Sequence, residues 1–140
     1  MSHHPTSVMR TATALVSVAE EQRVPLPARL VYHTDDPYAV CLSLGEPAKS
    51  VTWVFARDLL AEGMRRAAGA GAVLVFPRHR CLPDTMRIVL RSPADAALLE
   101  IPASLVTAFL HDTYALVAPG AEGTHIDLDG CLARLAGPNG

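Results

Sequence analysis

The side chains best equipped for chemistry in this 140-residue chain are six histidines, three cysteines and several close acidic pairs. The histidines are His3, His4, His33, His79, His111 and His125, and none falls in an HExxH pattern. His79-Arg80-Cys81 comes nearest to a ligand pair, but arginines on either side of that histidine would repel a cation, and the segment reads as a surface loop. Cys41, Cys81 and Cys131 are far apart and odd in number, so they form neither a disulfide framework nor a CxxC ligand pair. Asp35-Asp36 precedes Pro37 without a Gly-rich calcium loop, which is turn chemistry. Asp127 and Asp129 suit the start of a short helix. Gly69-Ala70-Gly71 follows a helical pattern and precedes a strand, the reverse of a phosphate loop, and so reads as helix termination. No GxSxG or GKT/GKS sequence occurs, and no carboxylate pair is singled out by spacing. The residues therefore select no catalytic group, no metal and no cofactor.

The elements that would carry these residues are easier to read. Alternation predicts strands over residues 8–19, 24–32, 38–44 and 50–56. Pro25 and Pro27 place the start of the second at a sheet edge, because proline donates no ladder hydrogen bond. At Val51 to Gly63 the hydrophobic period changes in mid-run. Val51, Trp53 and Phe55 alternate, then Leu59, Leu60, Gly63 and Met64 recur at helical spacing, so a strand feeds directly into a helix over residues 57–66. Three further strands follow over residues 72–76, 85–91 and 96–101, the last two joined by a Ser92-Pro93-Ala94-Asp95 turn. Pro102 opens a helix striped by Leu105, Val106, Phe109, Leu110 and Thr113. Leu128, Cys131, Leu132 and Leu135 predict a last short helix. Runs of strands punctuated by helices give an α+β domain with antiparallel sheets.

Length and composition agree with one domain, residues 1–140, with residues 1–6 and 137–140 at flexible ends. Half the residues are hydrophobic, enough for a core without staples. The net charge of -2 gives no reason to expect nucleic acid or an anionic membrane. Arg78, Arg80, Arg87 and Arg91 offer one modest basic patch, read as a solvated face. Eleven of the 12 basic residues are arginine, a bias that GC-rich codons produce. No apolar run is long enough to span a bilayer and no secretory signal is visible, which makes the cytoplasm the expected compartment. The first helix has the most suggestive exterior: Arg57, Asp58, Glu62, Arg65 and Arg66 give it mixed charge, with Glu62 and Arg66 an i,i+4 pair. Tyr38, Trp53, Phe55, Leu59 and Leu60 are expected in the core or at a subunit interface.

Asp36-Pro37-Tyr38-Ala39-Val40 and the run Val51 to Gly63 resemble the SsgA-like proteins of sporulating actinomycetes. Val24-Pro25-Leu26-Pro27-Ala28, the Gly-x-Gly at Gly69, the Pro-led helix at Pro102 to Leu110, Val117-Ala118-Pro119-Gly120 and Asp127-Leu128-Asp129 fall in the family's order, so that the match spans residues 7 to 136. The stretch Trp53 to Asp58 leans toward the SsgB-like branch. The resemblance implies a whirly-like fold of two antiparallel sheets packed with helices, about seven strands and two to three helices, assembled as a trimer. It also implies a non-enzymatic regulator of sporulation-specific division, acting at the septum on FtsZ, other division proteins or family paralogues. On that view the outer face of the first helix binds the partner. The competing readings are a single-stranded nucleic-acid binder, because whirly-like folds elsewhere bind such strands, and a small enzyme of unknown chemistry.

Overall fold

The computed structural model describes residues 6–18, 22–77 and 84–125. In chain order these form β1 (Ser7–Val18), β2 (Val24–His33), β3 (Ala39–Leu44), a 3-10 turn (Pro47–Lys49), β4 (Val51–Ala56) and α1 (Arg57–Gly63). Then come β5 (Val73–Phe76), β6 (Thr85–Arg91), β7 (Ala96–Pro102), α2 (Ala103–Leu116) and a second 3-10 turn (Glu122–His125). The basic loop of Arg78, His79, Arg80 and Cys81 lies outside the described residues. So do the helix expected at Asp127 to Leu135 and both chain ends.

The α+β class and the seven antiparallel strands are as the sequence predicts, but the two expected sheets are one. Their order is β4-β3-β2-β1-β7-β6-β5. The four-stranded meander and the three-stranded meander join where Leu15–Val18 of β1 pair with Ala97–Glu100 of β7, through four residue pairs among the described residues. No local pattern announces so short a pairing between distant strands. The prolines of β2 sit as predicted. Pro27 accepts from Gly45 N–H at 2.9 Å, so its missing donor faces β3, and β3 stops pairing at Leu44 opposite Ala28.

One face of the sheet holds the core. Ala14, Leu30, Tyr32, Leu42, Ile88 and Leu99 are sealed from water there, and Val106 and Phe109 of α2 and Leu60 of α1 pack onto them. Each of the buried Leu, Ile, Val and Phe side chains stabilises the fold by about 1.5–3 kcal/mol. Among the described residues no helix packs on the opposite face. α1 leaves edge strand β4 and packs on the other edge strand, β5. A Cβ built on Gly63 would stand 2.1 Å from Val75 Cγ1, so only glycine lets helix and strand approach this closely. α1 ends at Gly63, three residues short of the predicted end, because Arg65 and Arg66 both donate backbone hydrogen bonds to Glu62 O and close the last turn. Gly69, with φ of 104°, then turns the chain back toward β5. Asp84 caps α2 from outside the helix: its Oδ1 accepts Ser104 N–H at 3.0 Å and its Oδ2 accepts Ser104 Oγ–H at 3.1 Å.

Candidate functional site

Arg57, the first residue of α1, is not on the outer face where the sequence put it. Its relative exposure is 0%. Nη1 donates to Val117 O at 2.7 Å, and Nη2 donates to Glu122 Oε2 at 2.8 Å. Thr113 O and Oγ1 lie at 3.4 Å from Nη1. The guanidinium is also flanked by aromatic rings, with its carbon 5.0 Å from the Tyr32 centroid and 4.9 Å from that of Tyr114. The reason is helical phase. Arg57 stands three residues before Leu60 and six before Gly63, on the stripe that faces the sheet.

This arrangement ties α1 to the end of α2 and to the segment after it. The Arg57 hydrogen bond, followed by a bond from its own backbone, holds the Glu122 carboxyl below the usual range. Burial pushes the Tyr32 and Tyr114 phenols up. Tyr32 donates to Pro37 O at 2.9 Å and so fixes the β2–β3 turn. Within that turn Asp36 N–H donates to His33 O and Ala39 N–H to Asp36 O, so Asp35-Asp36 is a backbone turn, as read from the sequence.

The other four residues of the predicted surface do face outward. Asp58 is exposed. Glu62 accepts from Arg66 Nε at 2.7 Å and from Arg65 Nη2 at 3.2 Å, while the two arginine side chains stay 69% and 70% exposed. Beside them a shallow groove runs between α1 and α2, lined by Ala61, Met64, Arg65, Leu110, His111 and Tyr114. The surface thus offers two exposed guanidinium groups and an acidic residue next to an apolar trough. It is suited to recognising another charged surface.

Of the residues expected in the core or at an interface, Phe55 and Leu60 are buried, and Trp53 and Leu59 pack half-buried against the core. Tyr38 is 51% exposed and is not a core residue. It stands before β3 begins, in the β2–β3 turn, and so lies outside the strand alternation that buries Val40. Arg87 lies over the Phe76 ring at 5.9 Å, and Arg91 donates to Gly71 O at 2.9 Å. Glu122, Thr113 and Tyr114 were not legible as partners of Arg57, because they come from the far end of the chain. Among the described residues no three His, Cys, Asp or Glu side chains converge, and no helix is long and apolar enough to cross a membrane.

Fold and surface together define a small single-sheet α+β protein with a rigidly anchored, charged first helix. The family model described as "Streptomyces sporulation and cell division protein, SsgA" matches residues 26–122. The chain is 46% identical over 119 residues to the sporulation-specific cell division protein SsgB of Streptomyces coelicolor, covering 84% of this chain and 87% of that protein. It is 41% identical over 137 residues to the SsgB of Kineococcus radiotolerans, covering 96% and 83%. A crystal structure of an SsgA-like sporulation-specific cell division protein from Thermobifida fusca superposes with a TM-score of 0.82 at 36% identity, over 96% of this chain and 98% of that one. The chain belongs to the SsgA-like family, on its SsgB branch.

Proposed function

We propose that the protein is a non-enzymatic regulator of sporulation-specific cell division, which binds division proteins such as FtsZ at the septum and thereby helps to set septum position. The observation that carries this reading is the anchoring of α1. Arg57 is clamped by Val117, Glu122, Tyr32 and Tyr114, while Arg65 and Arg66, in the turn that closes the same short helix, stay about 70% exposed. A helix backbone held this firmly has little main-chain entropy left to lose on binding. The family relationship supports the process, and the resemblance supports FtsZ as the partner.

The reading includes self-association as a trimer, for which Tyr38 and Val51, both more than half exposed, are the candidate contacts. Light scattering at several concentrations checks it: a trimer mass supports the assembly and a monomer mass removes it. Pull-down of purified FtsZ by the wild type and by the double variant Arg65→Glu, Arg66→Glu tests the partner surface.

A further inference from the structure

The sheet face opposite α1 and α2 carries a second organised surface. Register places Thr11, Arg29, Ser43 and Thr52 side by side across β1, β2, β3 and β4. Ser43 and Thr52 share a hydrogen bond at 2.8 Å. The β3–β4 connection rims this row and completes a concavity of about 120 Å³, lined by Thr11, Arg29, Ser43, Gly45, Pro47 and Ser50. Among the described residues Arg29 has no carboxylate partner. Its Nε is withdrawn from water without an acceptor. A partly desolvated, unpaired guanidinium beside hydroxyl groups calls for an oxyanion.

The next row along the same face is apolar. Met9, Val31, Cys41 and Val54 lie side by side across the same four strands, and Met9 and Val54 are 57% and 61% exposed. The two rows are two residues apart along each strand, about 7 Å. That is the spacing of side chains i and i+2 on one side of an extended peptide.

We propose that this face docks an acidic, extended segment of a protein partner, with one Asp or Glu carboxylate on Arg29 and an apolar side chain two residues away on the Met9–Val54 row. The chemistry favours a peptide over nucleic acid. The row offers a single cation, its neighbours are apolar, and the chain carries a net charge of -2, whereas a phosphate backbone is bound by a track of cations. The surface lies across the sheet from α1, so the α1 reading and this one stand or fall separately.

The test is fluorescence anisotropy with a short labelled peptide of Glu-Ser-Leu-Ser repeats, which sets Leu and Glu two residues apart on one side of an extended chain. Its Leu/Gln counterpart and a labelled single-stranded oligonucleotide serve as the other arms. The wild type binds the Leu/Glu peptide saturably. Arg29→Gln weakens that binding by roughly tenfold or more, since a charge-assisted hydrogen-bonded pair is lost. Val54→Glu, at a well-exposed position, weakens it as well, while Arg65→Glu with Arg66→Glu leaves it unchanged. Circular dichroism establishes that each variant is folded. If Arg29→Gln fails to fold, Val54→Glu and the Leu/Gln peptide decide. The proposal is overturned by equal binding of the two peptides, by unchanged affinity in Arg29→Gln, by no peptide binding, or by an oligonucleotide that binds in the peptide's place.

Discussion

Arg57 Nη2 and Glu122 Oε2 meet at 2.8 Å across 65 residues of sequence, with side-chain exposures of 1% and 6%. The pair closes the joint between α1 and the segment that follows α2. Removing one partner strands the other charge in a dry site. Glu122→Ala is therefore expected to cost about 3–5 kcal/mol, and Tm to fall on the order of 10 °C. Differential scanning calorimetry measures it. A fall of only a degree or two would mean that the pair is wetter than its geometry indicates.

The same carboxylate sets an acid limit. Glu122 titrates below its ordinary value in the folded protein, because Arg57 donates to its ionised form. The unfolded chain then binds the proton more readily, so stability rises with pH through this window. The contribution is complete above the ordinary glutamate pKa, about 4.3, and is lost as pH falls through the lower folded value. Asp112, hydrogen-bonded by Arg10, is depressed in the same direction. Urea melts at stepped pH should show the wild type losing stability on acidification below that point. Glu122→Gln should lose less, and parallel curves for the two proteins would contradict the assignment.

Gly63→Ala separates packing from helix propensity. Alanine favours a helix over glycine by about 1 kcal/mol. Here the added methyl would overlap Val75, its Cβ lying 2.1 Å from Cγ1. The expected net effect is destabilisation by about 1–3 kcal/mol, read as a lower urea midpoint with unchanged slope. Restoration by a second change, Val75→Ala, would confirm that the two positions touch.

Asp84→Ala removes the cap of α2 and leaves Ser104 N–H without its acceptor. About 1 kcal/mol of stability is expected to go, with Asp84→Asn retaining most of it. Thermal melts of the three proteins check the order.

Much of this fold could be read from alternation and punctuation. Leu30, Tyr32, Val40 and Leu42 face inward as the two-residue period requires, and Ser92 and Asp95 close the predicted hairpin turn. The β1–β7 junction could not be read, because four residue pairs between distant strands leave no periodic trace. Arg57 was misplaced because its charge outweighed its position. Counting back from Gly63 and Leu60 puts residue 57 on the buried stripe. Its partner Glu122 lies beyond the α2 stripe, in a turn that local pattern cannot dock. For the proposed docking face, the polar row Thr11, Arg29, Ser43 and Thr52 emerges only once register is known.

The most direct test of the central claim is quantitative binding of purified FtsZ to the wild type and to the Arg65→Glu, Arg66→Glu variant, with melting curves measured in parallel. The account predicts saturable binding to the wild type, weakened at least tenfold in the variant, with Tm moving by no more than a few degrees because both arginines are exposed. Full-strength binding by a folded variant would contradict a partner surface on α1.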